Sequence, residues 1–195
     1  DHAESGRRQE AIAIADEIIA HYRTTTKDEQ RVVYAARDAV EALAYLAMAA
    51  KDKRDGLVLS HVWGDAYMLK GYALVELGQI KEARGAIEAA VALSPINPQY
   101  LSEMGYLTQL DQKWPESLEF YKRAEEGARI VPPEDKQNAY LALALRGQGY
   151  ALTELGRLDE AEALYKRCLA LDNEDAKARN ELQYIHSVRQ KQANA

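Results

Sequence analysis

Four histidines, one cysteine and twelve tyrosines are the residues of this 195-residue chain best equipped for chemistry, and their spacing decides which chemistry is open. A metal centre needs several donors within reach of one ion, usually announced by pairs a few residues apart. His2, His21, His61 and His186 are scattered along the chain, with no His-Glu-x-x-His and no Cys/His pair at ligand spacing. No metal site is expected. Cys168 stands alone and cannot close an internal disulfide. No glycine loop of the phosphate-binding kinds appears, and Gly147-Gln148-Gly149 lies inside a predicted helix, where it cannot cradle a phosphate. With no acid–base pair and no nucleophile constellation, the chain reads as a non-enzyme without a cofactor. What does recur is a tyrosine directly after a glycine, at Tyr72, Tyr106 and Tyr150. A phenol brings a large ring at low entropic cost and keeps a hydroxyl for a polar partner, which suits binding rather than bond making.

The elements that must position these residues are helices. Ala occurs 33 times and Leu 22 times against a single Phe, a bias toward the best helix formers and away from strand residues. All five prolines fall between Pro95 and Pro133, which argues against a turn-rich β-sandwich or barrel. The 47% hydrophobic and 29% charged residues describe an ordinary globular chain. A net charge of −6 makes nucleic acid a poor partner. Acidic pairs such as Glu116/Glu119 and Glu125/Glu126 read as solvated helix faces. The longest apolar stretch, Val40 to Ala50, is too short to span a bilayer. The first residue is Asp1 rather than Met, which leaves a cleaved export signal and a cut made in preparing the chain as open alternatives.

Repetition organises the rest. Gly71 and Gly105 are 34 residues apart, and Gly149 follows 44 residues later in the same frame. Copies at 64–97, 98–131 and 142–175 share a bulky residue (Tyr67, Leu101, Leu145), the glycine, and later Ala83/Ser117/Ala161, Ile87/Tyr121/Tyr165 and Ala90/Ala124/Cys168. Gly78 and Gly156 mark turns, and Gln112 stands in the second copy's turn, beside Trp114-Pro115. This frame resembles the tetratricopeptide repeat, a 34-residue helix–turn–helix unit. The resemblance implies an all-α, right-handed α-solenoid of antiparallel helix hairpins in a single domain. Nine helices are predicted, at about 3–23, 28–51, 58–77, 80–93, 98–110, 115–129, 134–155, 158–171 and 174–191. Residues 1–57 would form an N-terminal helical hairpin or cap, 58–173 the three repeats and 174–195 a capping helix. Cys168 then takes a slot where the family has a small Ala, and reads as a small buried hydrophobe.

The resemblance also implies a place for the tyrosines. Their slot lies on the first helix of each hairpin, facing a concave groove, where the family commonly has Asn. Met68, Glu76, Gln99, Ser102, Leu110, Leu143, Arg146 and Glu154 occupy other groove slots. The expected function is a protein-interaction module, an adaptor or assembly factor, that holds a peptide segment or partner protein on Tyr72, Tyr106 and Tyr150 with help from Arg146. A rival is left open: the tyrosines pack on each other or on residues 1–57, and the chain is a self-associating scaffold, for instance a homodimer. Trp114 reads equally as a partner contact or as a tucked aromatic. The carboxylate clamp with which some relatives hold chaperone C-termini would fall on Met68, Tyr72, Glu103, Leu143 and Gly147. None of these is the clamp's Lys, Asn or Arg, so that specialisation is not expected. Analogy with similar bacterial proteins slightly favours the periplasm or cell envelope over the cytoplasm.

Overall fold

The computed structural model of the chain describes residues 2–193; Asp1, on which the reading of the chain's start turned, lies outside them, as does the side chain of His2. The backbone gathers into two compact units, residues 1–95 and 96–195. Among the described residues there are nine helices and two short strands.

The first unit opens with α1 (His2–Thr25), which packs on α3 (Val62–Glu76), and α3 packs in turn on α4 (Ile80–Leu93). Tyr22 of α1 stacks on Trp63 of α3 at 5.3 Å between centroids. Between α1 and α3 the chain departs from the expected helical hairpin. The predicted helix 28–51 is instead a strand, β1 (Val32–Ala36), followed by α2 (Ala39–Lys51). The start predicted for the next helix is a second strand, β2 (Gly56–Ser60). The two strands pair in parallel, Val32 opposite Gly56 through Ala36 opposite Ser60.

The reasons are local. Val32-Val33-Tyr34 is a β-branched and aromatic run that suits a strand better than a helix. Asp38 then starts α2, its side chain accepting the Glu41 amide at 2.9 Å, the arrangement expected of Asp-x-x-Glu at a helix start. Glu41 is 2% exposed, yet its carboxylate accepts the Arg37 amide at 2.7 Å, the Arg37 guanidinium at 3.1 Å and the Tyr45 hydroxyl at 2.8 Å. A buried charge is tolerable only when satisfied in this way. Two parallel strands need a crossover between them, and α2 supplies it.

In the second unit, α5 (Pro98–Leu110), α6 (Trp114–Ala128), α7 (Glu134–Glu154), α8 (Leu158–Leu171) and α9 (Ala176–Ala193) stack each on the next. Pro98 sits in the first turn of α5, where no amide is missed, after an Asn97 cap. Helices α3 and α7 end at Gly78 and Gly156, both at φ +74°, and Gln112 takes the same left-handed conformation at φ 57°. The core of this unit runs through Leu145, Leu152, Tyr165, Cys168, Ala178 and Ile185. Cys168 is fully buried and burial pushes its thiol up to about 11, so it is a packing residue. Ala178 and Ile185 place one face of α9 against the last hairpin, as a terminal cap requires.

Candidate functional site

Large rings packed on small residues build the site. In the second unit the Tyr121 ring of α6 lies against glycines of both α5 and α7; a Cβ on Gly105 or Gly147 would come within 2.7 or 2.2 Å of it. Tyr165 of α8 lies under Gly149 in the same way, at 2.7 Å. With these rings beneath, α7 contacts both α5 and α9. A trough of about 320 Å³ follows the three helices, lined among others by Gln109, Leu143, Arg146, Tyr150, Lys177 and Glu181, with Tyr121 and Tyr165 at its base.

Tyr106 on α5 and Tyr150 on α7 are 44% and 40% exposed. A third phenol, which the sequence reading missed, continues the series beyond the trough: Tyr184 on α9, 53% exposed, lines a neighbouring hollow with Thr153, Leu158 and Arg189. It stands 34 residues after Tyr150, in the same repeat slot. The signal was the spacing itself, hidden because Gln183 replaces the glycine that precedes the other tyrosines. Trp114 is half-buried and meets Tyr150 edge-on, with centroids 6.0 Å apart. At the base of the trough the Tyr165 hydroxyl is buried, close to the Thr153 side chain.

Charge follows the same helices. Burial raises the Tyr150 phenol above its ordinary range, reinforced by Glu154, Glu181 and Tyr184. Glu181 is raised too, by burial and then by Glu154. Asp175 has the opposite fate. Burial pushes its carboxyl up, but the Ala178 amide and the Arg146 guanidinium outweigh that and hold it below the usual range. It caps α9 by accepting the Ala178 amide at 3.0 Å and receives the Arg146 guanidinium at 2.5 Å.

Several expected groove residues are placed differently. Arg146 is engaged with Asp175, so its first task is to hold α9. Met68 and Ser102 are each 3% exposed and offer nothing to a partner. The physical reason is that α3 is buried around most of its circumference, and that the Ser102 hydroxyl donates to the Pro98 carbonyl at 2.7 Å. Leu110 and Glu154 are exposed, while Leu143 and Gln99 are half-buried. In the first unit Glu76 is paired with Arg8 at 2.5 Å. Tyr72 is half-buried beside the start of α1, sharing a cavity of about 360 Å³ with Glu4, Arg7 and Arg8. Glu125, read as a solvated carboxylate, is a correction. It is buried and takes Gln148 at 2.7 Å and Arg167 at 2.6 Å.

A larger cleft of about 720 Å³ lies between α1, α3 and α4. Four of its polar groups are already matched, Lys70 with Asp16 at 2.6 Å and Arg23 with the Tyr67 hydroxyl at 3.0 Å. The trough over α5, α7 and α9 is therefore the stronger candidate. Among the described residues no group of three potential metal ligands occurs, and no helix is long and apolar enough to cross a membrane.

Residues 64–97 and 98–174 each match a family model described as tetratricopeptide repeat. Together the matches span more than half of the chain. No curated protein matches it. Among solved structures, the first tetratricopeptide repeat domain of human RPAP3 is similar at 21% identity and TM-score 0.57, covering 68% of this chain and 96% of that one. The N-terminal domain of stress-induced protein-1 from C. elegans is similar at 18% identity and TM-score 0.56, covering 65% and 96%. The first such repeat domain of Spaghetti (RPAP3), solved with an HSP90 peptide bound, is similar at 22% identity and TM-score 0.55, covering 64% and 91%.

Proposed function

This chain belongs to the tetratricopeptide repeat family, and on that premise we propose that it is a non-enzymatic interaction module, an adaptor or assembly factor, that holds a peptide segment of a partner protein. The segment lies in the trough over α5, α7 and α9. One observation carries the reading: Tyr106, Tyr150 and Tyr184 are all exposed and occupy one repeat slot on the alternate helices α5, α7 and α9, with Tyr150 lining the trough itself. Exposed aromatic rings of this kind are typical anchors of protein interfaces. The Lys177 ammonium at the rim supplies a polar contact. Similar folds support the use of such a surface, since one was solved with an HSP90 peptide and another with an HSP70 peptide.

The ligand we propose is not a chaperone C-terminal carboxylate. Glu154 and Glu181 make one end of the trough acidic, Arg146 is committed to Asp175, and the clamp slots hold other residues. Peptide arrays probed with the full chain select ligands, and fluorescence anisotropy gives their Kd. Replacing Tyr106, Tyr150 and Tyr184 together by Ala is expected to weaken binding at least about tenfold, or ~1.4 kcal/mol. Helicity and melting should stay as they were. An unchanged Kd, or an array with no binder, overturns the proposal.

A further inference from the structure

We propose that a second copy of this chain docks on the open edge of β2, building a four-stranded sheet roofed by two packed α2 helices.

The ladder fixes which backbone groups face outward. The Val32 amide donates to the Asp55 carbonyl at 2.8 Å and the His61 amide to the Ala36 carbonyl at 3.1 Å. Residues 55, 57, 59 and 61 therefore point their backbone groups at β1, and Gly56, Val58 and Ser60 point theirs away. On the far side of β1 the Ala35 carbonyl is already taken, accepting the Ser94 hydroxyl at 2.6 Å. Among the described residues the outward N–H and C=O of Val58 have no such partner. The sequence Gly-Leu-Val-Leu-Ser carries no charge and no proline, the devices that ordinarily keep an edge strand from pairing.

Above the same edge lies an apolar helix face. Helix α2 straddles the pair, with Tyr45 stacked on Tyr34 of β1 at 5.1 Å. On the other side, Leu46 and Ala49 sit over Gly56 of β2, each 3.1 Å from where a Cβ would stand. From Leu46 outward the helix exposes Ala39, Leu43, Ala47 and Ala50, with Leu43 68% and Leu46 41% exposed. The charged residues of α2 are only Glu41, which is buried, and Lys51 at its end. An uncharged exposed stripe of this kind marks an interaction surface.

An occupant must bring both a strand and an apolar helix held beside it, and a second copy does. Antiparallel pairing of β2 with itself has its two-fold axis normal to the sheet, midway between the Val58 residues of the two copies. Val58 exchanges both hydrogen bonds with Val58 of the second copy, and Gly56 faces Ser60. That axis keeps both α2 helices on one face of the sheet. Each straddles its own strand pair, so the helices stand two strand spacings apart, about 9.6 Å. Packed helices stand roughly 8–10 Å apart. The edge and the stripe are thus satisfied by one symmetric, closed contact. This inference is independent of the trough, which lies on other helices.

The test uses the full chain. Analytical ultracentrifugation from about 1 to 100 µM, a range centred on micromolar Kd values, should show a dimer at the upper end. Leu43→Glu with Leu46→Glu, both at exposed positions, should return it to monomer with unchanged helicity. Val58→Pro removes only an outward amide and should do the same. For register, Val58→Cys should crosslink under mild oxidation, because hydrogen-bonded antiparallel partners have Cα atoms about 5.5 Å apart. Leu57→Cys should not, since its equivalents would stand roughly 8 Å apart. A monomer throughout, a dimer that survives the two glutamates, or crosslinking at Leu57→Cys in preference to Val58→Cys overturns the proposal. So does a monomer that takes an added extended peptide on β2, which would assign the edge to a foreign strand. The triple tyrosine variant should dimerise normally, so failure here and failure of the trough reading are told apart.

Discussion

Asp175 performs two tasks with one carboxylate, and each oxygen has its own. One caps α9 through the Ala178 amide; the other takes the Arg146 guanidinium that projects from α7. Asp175→Ala should cost about 1–2 kcal/mol, most of it the lost cap. The pair adds little, because Arg146 is a quarter exposed and can rehydrate. Asp175→Asn keeps a capping oxygen and should lose less; urea unfolding of the three proteins checks the order, and an Ala variant as stable as the parent refutes it. The pH dependence has a definite sign. The folded carboxyl lies below its ordinary 3.8, so its contribution is complete above that value and is lost as pH falls through the folded pKa. Glu181 runs the other way. Its carboxyl is raised above 4.5, so its contribution is present below 4.5 and lost as pH rises; at pH 7 the ionised group is a cost. Glu181→Gln should therefore melt higher than the parent at pH 7, the gap closing toward pH 4. A gap that does not change with pH removes titration as the cause. Charges such as these were visible in the sequence, but their partners were not. Arg146 meets Asp175, 29 residues away, and Glu125 meets Arg167, 42 residues away. Only the stacking of hairpins brings them together.

At the scale of elements, the repeat frame was legible because glycine and large side chains face each other across helices. Gly71 opposes Ile87, Gly105 opposes Tyr121 and Gly149 opposes Tyr165, each too close for a Cβ without displacement. The sequence predicts α4, α5 and α8 with the bounds they have, and α6, α7 and α9 within two residues at each end. The N-terminal region failed for a physical reason. The alanine-rich sequence from Ala35 to Ala50 suggested one long helix, and the Asp38 cap and the preceding Val32-Val33-Tyr34 were overridden. A residue-level rule, helix capping, won over composition. Turn chemistry makes the prediction for this scale. Gln112 sits at φ 57°, where Gly78 and Gly156 sit in the other copies. A non-glycine residue is strained there by about 1–2 kcal/mol, and glycine's greater freedom in the unfolded chain returns part of it. Gln112→Gly should thus stabilise by about 0.5–1 kcal/mol, and Gly156→Ala should destabilise by about 1 kcal/mol or more. Thermal melts of both variants decide, and signs that agree would defeat the argument.

For the whole molecule, the division into residues 1–95 and 96–195 has a functional consequence. The second unit contains its own core through Leu145, Tyr165 and Ile185, its own cap and every residue of the proposed trough. At the end of α9, Arg189 pairs with Asp159 at 2.5 Å and with Glu162, tying the cap to α8. The repeat frame puts Tyr72, Tyr106 and Tyr150 in equal slots and so predicts equal environments for them. They are not equal: Tyr72 is half-buried beside α1, and Tyr184, outside the recognised copies, is the most exposed of the four. If the trough is the binding surface, residues 96–195 expressed alone should fold with a cooperative melt and high helicity. They should also bind the peptides selected by the full chain within roughly threefold, about 0.6 kcal/mol. Circular dichroism and anisotropy on the fragment measure both. A folded fragment that has lost the peptides would move the binding determinant to residues 1–95 and restore Tyr72 as its leading candidate, whereas retained binding that disappears with Tyr106, Tyr150 and Tyr184 locates recognition on α5, α7 and α9.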